Sequence, residues 1–206
     1  LYISAAHKSA GKTMVTMALA GALTRRGHRV QTFKKGPDYI DPLWLTQASA
    51  RDCHNLDFHT MDDDEIADLF RRHGDPVDLS LVEGTKGLHD SVDVEGRYSN
   101  ASMARLLGSP VVLVIDTRGM TRGVAPLLHG LAGFDSQVCI AGVVLNEVVE
   151  GRELGVGDAL WIALGPHGEH LNNNNDDDDD DEGSLDDDGD EKKKKNEQQQ
   201  LVTSSP

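Results

Sequence analysis

Three short stretches of this 206-residue chain gather side chains that can do chemistry: AHKSAGKT (6–13), FKKGPDYIDP (33–42) and LSLVEG (79–84). The first fits a phosphate loop with Ala6 in place of the pattern's first glycine, set between a strand-like and a helix-like segment. In such loops backbone N–H groups wrap phosphate oxygens, a lysine reaches the β- and γ-phosphates, and a hydroxyl binds Mg2+. Ala10 and Gly11 lie in that loop, Lys12 is the lysine and Thr13 supplies the hydroxyl. The plainer alternative is a GKT that merely opens a helix. Glu83 closes an apolar strand, where a carboxylate can face phosphates through Mg2+ or water. Otherwise it is a strand-end solubility device. The ten residues 33–42 crowd Lys34, Lys35, Asp38, Tyr39 and Asp41 together with two prolines. They follow a strand and project onto the same rim as Lys12. Lysines there hold transferring phosphate, and carboxylates bind metal or orient a nucleophile. A surface salt bridge, worth under about 1 kcal/mol, is the competing reading.

These residues need a scaffold that brings separate strand ends together. Strand-like runs occur at LYIS (1–4), RVQTF (29–33), DLSLVEG (78–84), VVLVID (111–116) and VCIAGVVLN (138–146). Residues 12–26 carry Val15, Ala18, Leu19, Ala22 and Leu23 at helical spacing, and 62–72, 99–107 and 122–133 fit further helices. The proline- and glycine-bearing 33–42 segment reads as a loop outside regular helix. Near-continuous apolar strands alternating with helices predict an α/β fold: a P-loop, Rossmann-like, mostly parallel sheet with helices on both faces. Ligands of such sheets bind beyond the carboxyl ends of the strands. The polar clusters after Ser4, Phe33, Val82 and Ile115 converge there.

The pattern divides the chain into an ordered domain at 1–148, an atypical segment at 149–171 and a low-complexity tail at 172–206. The formal charge of −15 divides likewise. Of 35 acidic and 20 basic residues, the tail holds 13 acids and four lysines, leaving 22 acids and 16 bases ahead of it. The domain is ordinarily acidic and lacks a nucleic-acid footprint. Homopolymeric Asn, Asp, Lys and Gln runs bury no apolar surface, so the tail is expected to be disordered rather than a Ca2+ cage. Cys53 and Cys139 form no disulfide or zinc pattern, and Cys139 is expected in a buried strand. No apolar run reaches the roughly 18–20 residues that span a bilayer. With no signal peptide ahead of the first strand, a cytoplasmic location is expected.

Together the segments resemble the cobyrinic acid a,c-diamide synthase family, ATP-dependent amidases of tetrapyrrole carboxylates. The matching text is ISAAHKSAGKT (3–13), FKKGPDYIDP (33–42), NLD (55–57), VEGTKGLHD (82–90), ARLLGSPVVLVIDTRGMTR (104–122) and FDSQVCIAGVVLN (134–146). The resemblance implies that ATP phosphorylates a side-chain carboxylate and ammonia converts the acyl phosphate to an amide. It implies that Gly11, Lys12 and Thr13 hold the nucleotide phosphates. Thr13 and Glu83 would hold Mg2+, with Asp41 or Asp57 as a further ligand. It puts Lys34, Asp38, Tyr39 and Asp90 at the acyl-transfer centre or on the substrate, and Asn146 at the adenine edge. Asp38 or Asp90 would orient ammonium and accept its proton. The stretch TKGLHDSVDVEGRYSN is similar to the branch found near sirohaem and sulfur metabolism, so the acceptor is cobyrinate-like or sirohydrochlorin-like.

Departures from the family also set expectations. Ser91 stands where the family's EGxxGLxDG ends in glycine. No glutaminase cysteine or histidine is recognisable, so free ammonia or a separate glutaminase would supply the nitrogen. The loss of pattern after Asn146 suggests a truncated, frameshifted or chimeric chain. Partitioning and septum-placement ATPases carry a lysine five residues before the phosphate lysine, where this chain has His7. A non-catalytic nucleotide-binding remnant is the reading from a different class. His89 stands beside the acyl-transfer motif, and Arg118 and Arg122 are placed either to touch an anionic substrate or simply to coat the surface.

Overall fold

The structure, a computed structural model, describes residues 1–148. The expectations for 149–171 and 172–206 lie outside the described residues. Eleven elements follow in alternation: β1 (Tyr2–Ala5), α1 (Lys12–Arg25), β2 (Val30–Lys35), α2 (Asp41–Ser49), β3 (His54–Leu56), α3 (Asp63–Gly74), β4 (Leu79–Glu83), α4 (Asn100–Leu106), β5 (Val111–Asp116), α5 (Val124–Gly133) and β6 (Ile140–Asn146). All six strands pair in parallel in the order β3-β2-β4-β1-β5-β6. Central β1 joins the two halves, Tyr2 standing opposite Val82 on β4 and Val111 on β5.

The two-residue period of a strand sends successive side chains to opposite faces. Here that alternation sorts the core. Tyr2, Phe33, Val82, Leu113 and Ile115 pack with Ile66 of α3, Met103 of α4 and Leu128 of α5. Ile3, Ala5 and Val114 face the other way, against Val15 and Leu19 of α1. Val30 and Leu81 share that side with Ala20, Leu23 and, from α2, Ala48. Helices therefore cover both faces, as the apolar runs require.

Two elements depart from the sequence reading. The 33–42 segment is not a loop throughout: β2 runs on to Lys35, and α2 starts at Asp41 with Pro42 in its first turn. Proline fits a helix start, where its missing N–H has no intrahelical partner to lose. The short strand β3 pairs with the end of β2, Lys34 opposite Asn55. Cys139, expected in a buried strand, is exposed just ahead of β6.

Candidate phosphate and acyl-transfer site

The turn from β1 into α1 is built by left-handed backbone at Ser9 (φ 65°) and Gly11 (φ 93°). Gly11 has a second constraint, since a Cβ there would lie 2.2 Å from Asn146 Nδ2. Only glycine meets both demands without strain. Asn146, at the end of β6, donates to the Ala10 carbonyl at 3.0 Å and so braces the turn from above. Ala10 itself is buried.

Lys12 opens α1 and is only 7% exposed, with no carboxylate within 4.0 Å among the described residues. Burial draws its pKa down and nearby Lys34 adds to that, against the opposing charges of Glu83, Asp90 and Asp41. A buried ammonium left without an ion pair at a phosphate turn suits an anionic ligand.

Thr13, Lys34, Asp41 and Glu83 form one cluster beside it. The Thr13 hydroxyl donates to Glu83 Oε1 at 2.5 Å and lies 3.4 Å from Asp41 Oδ2. Lys34 Nζ donates to Asp41 Oδ2 at 2.6 Å and Glu83 Oε1 at 3.0 Å. Burial opposes the Lys34 charge, yet the Glu83 and Asp41 charges and hydrogen bonds outweigh it and lift its pKa. Burial pushes the Glu83 carboxyl up, and Lys34 and Thr13 only partly offset it. Glu83 Oε2 is buried with no hydrogen-bond partner. An orphaned carboxylate oxygen beside a threonine hydroxyl and a second carboxylate fits Mg2+, a hard cation that keeps several waters.

The remaining residues singled out from sequence fall into different places. Asp38 Oδ1 accepts from the Ile40 and Asp41 N–H groups, tying off the start of α2, while Oδ2 stands 4.0 Å from Lys34. Tyr39 is 84% exposed. Asp90 Oδ2 accepts from Gly87 N–H at 2.8 Å in the loop after β4. That loop is pinned to the end of β1 by the Leu88 N–H, which donates to the Ala5 carbonyl. Asp57 is buried, its oxygens accepting from the His59 N–H and the Thr60 hydroxyl, and it lines a cavity with Lys35 rather than joining Thr13 and Glu83. His89 turns away to the Leu131 carbonyl on α5. Arg118 pairs with Asp116, whose carboxyl is held down to about 2 by the hydrogen bonds from that guanidinium.

Sequence reasoning missed two contributors. Asn100, fully buried at the start of α4, takes the Tyr2 hydroxyl and Thr85 N–H on its oxygen and donates to the Gly87 carbonyl. It clamps the 84–87 loop, and nothing local in its sequence signals that long-range role. The second is Lys35, which in the sequence stands out only as a neighbour of Lys34. Its burial on the opposite face could have been read from strand alternation.

Comparison with known proteins identifies the family and the fold. A family model described as CbiA, the CobQ/CobB/MinD/ParA nucleotide binding domain, matches residues 3–157. The chain is 44% identical over 153 residues to a cobyrinate a,c-diamide synthase of Magnetococcus marinus, covering 74% of this chain and 33% of that protein. It is 42% identical over 153 residues to a hydrogenobyrinate a,c-diamide synthase of Streptomyces coelicolor, covering 74% and 32%. The chain thus spans about a third of the length of these curated relatives. Among solved structures, chloroplast FtsY from Physcomitrella patens superposes with a TM-score of 0.56 at 16% identity, covering 79% of this chain and 54% of that one. The 54 kDa signal recognition particle protein of Aeropyrum pernix gives 0.53 at 16%, covering 80% and 38%. At such identity these two likenesses speak for the fold alone.

Proposed function

The chain belongs to the CbiA family of nucleotide-binding domains, and from that premise we propose that it carries the ATP-dependent half of a tetrapyrrole amidation. The acceptor is a side-chain carboxylate of a cobyrinate-like or sirohydrochlorin-like acid. The observation that carries the reading is the partly buried cluster at the phosphate turn, where Lys34 is held between Asp41 and Glu83 and Thr13 hydrogen-bonds Glu83. A plain nucleotide-binding turn needs the hydroxyl and one acid. A fixed second cation beside them suits a reaction that brings two anions together.

In the proposed reaction an acceptor carboxylate oxygen attacks the γ-phosphorus. The bond from that phosphorus to the β–γ bridging oxygen breaks, and ADP leaves with the electron pair. Ammonia then attacks the acyl carbon, the carbon–oxygen bond to phosphate breaks and inorganic phosphate departs. The surplus proton on nitrogen passes to a carboxylate. Asp90 suits that step, since it contributes to the Lys35 cavity and only one of its oxygens is tied to Gly87. Asp38 is the other candidate, with one oxygen committed to the start of α2.

Lys12 and Lys34 offset the charge of the meeting anions, and the turn through Ala10 and Gly11 holds the phosphates. Thr13, Glu83 and Asp41 are the residues that would hold Mg2+, which supplies charge neutralisation between the phosphates. Tyr39, at the open tip of its loop, meets the acceptor, and Asn146 serves the adenine edge while it braces Ala10. The nitrogen comes from free ammonia or a separate glutaminase.

The test is release of ADP from Mg-ATP in the presence of cobyrinate and ammonium chloride. Release that requires both additions supports amidation. Turnover indifferent to the acid would sink it in favour of a simple ATPase, and Mg-ATP binding without turnover would leave a nucleotide-binding remnant.

A further inference from the structure

Lys35 follows Lys34 on β2, so its side chain leaves the opposite face of the sheet. It is 8% exposed, its ammonium donates to the Tyr98 carbonyl at 2.7 Å, and the Phe58 ring centroid lies 5.9 Å away. No carboxylate lies within 4.0 Å of it among the described residues. An ammonium carries three donors, and a buried charge is costly unless it is paired. Burial accordingly draws Lys35 down to about 8, with Asp57 opposing and Lys86 adding to the shift.

Lys35 borders a cavity of about 230 Å3 that Asp57, Lys86, Asp90 and Ser91 also line. One wall is the 84–90 loop, which is also packed on the phosphate turn: a Cβ at Gly87 would lie 2.7 Å from the Ala6 carbonyl oxygen. Phe58, His59 and Tyr98 are shared with a second, larger trough of about 910 Å3 that continues past Met61, Arg97 and Leu106 and has Asp62, Asp63 and Asp64 along one side. The two spaces are thus neighbours across these three aromatic side chains.

We propose that this cavity is the acceptor subsite, in which Lys35 is the counter-ion of a substrate carboxylate arm while the macrocycle lies in the adjoining trough. This rests on the amidation reading above for the identity of the acceptor. Lys34 and Lys35 then divide the work, one facing phosphate and metal, the other facing the acid. The trough falls within the roughly 300–1,000 Å3 of ordinary ligand pockets and suits the ring, while the small cavity lies below that range and suits only an acetate- or propionate-like arm. Arg97 offers a second cation along the trough.

Equilibrium dialysis of cobyrinate, followed by its own visible absorption in the presence of Mg-ADP, tests the assignment on the full chain. Lys35→Gln should weaken cobyrinate binding by about tenfold or more, the size of a lost charged hydrogen bond, and Lys35→Arg should retain part of it. Both variants should bind Mg-ADP as the wild-type chain does, which also reports that they fold. The heptamethyl ester of cobyrinate should bind weakly and without regard to residue 35. The subsite is overturned if Lys35→Gln binds the free acid like wild type, if the ester binds as well as the acid, or if the wild-type chain ignores cobyrinate. Lys35-dependent binding of the acid without ammonia-dependent ADP release would leave the subsite standing and remove the amidation reading.

Discussion

Lys34 and Lys35 are adjacent on one strand and both buried, yet their surroundings push them in opposite directions. Lys34 sits between two carboxylates that keep it charged. Lys35 has a neutral carbonyl and an aromatic ring, and burial lowers its pKa. The difference teaches that a buried cation can be part of a finished electrostatic assembly or a vacancy for a ligand's charge. Burial alone does not say which. The partner list does.

The sharpest way to break this comparison is to remove each charge in turn. Lys34→Met leaves the buried Glu83 without its counter-ion and beside the partly buried Asp41, and should cost about 3–5 kcal/mol in chemical denaturation. Lys35→Met removes an unpaired buried cation and should be neutral or stabilising in the same assay. Equal losses from the two would end the distinction.

A smaller effect is expected on the phosphate side alone. Gly11→Ala places a Cβ against Asn146 Nδ2 and forces a non-glycine residue to φ 93°. The strain is of order 1–3 kcal/mol, and calorimetric titration should show Mg-ATP binding lost or greatly weakened. Cobyrinate binding at the Lys35 cavity should survive it better than nucleotide binding does.

Acidity separates the lysines more gently. Lys35 is protonated below about 8, so the attraction for an acceptor carboxylate is present there and fades as pH rises above that value. The bound carboxylate itself favours the charged form, which moves the decline upward in the complex. Asp57 and His59 after β3 and Lys86 and Asp90 after β4 also face the cavity. Lys35→Gln should therefore lose the alkaline decline specifically, while any contribution of those groups persists. An unchanged profile in that variant would count against the role of Lys35.

The mildest change serves as a control. Asp62 and Glu65 form a reciprocal capping box at the start of α3. Asp62→Ala should cost about 1 kcal/mol in a thermal melt, with Mg-ATP affinity unchanged. A loss of nucleotide binding in that variant would show that the two lysine regions are not as separable as their contacts indicate.

Much of the fold was legible because its signals are local. The apolar runs of β1, β4 and β5 and the helical spacing of α1 follow from side-chain period. The bounds of β5 are as read, and the ends of the other three differ by at most one residue. Two elements were not legible. In α2 the only buried side chains are Leu45 and Ser49, while Leu43 and Trp44 are largely exposed, so no apolar stripe marks the helix. β3 has three residues and depends on pairing with β2. Within the site, Thr13, Glu83, Lys34 and Asp41 were each recognisable. Asp38 ties off α2 through neighbours two and three residues on, but that Asp57 belongs with Lys35 and that His89 turns to α5 depended on contacts between segments far apart in the chain.

The sequence by itself determined the phosphate turn, the strand–helix alternation and the residue types available at the rim, because each rests on backbone preference or on neighbours a few positions away. The tertiary structure alone decided which charges meet. β2 lies between β3 and β4 in the sheet, so its two faces present Lys34 to Glu83 and Lys35 to the loops carrying Asp57 and Tyr98. Coulomb interactions and desolvation depend on distance through space, and a linear chain does not contain those distances until it is folded.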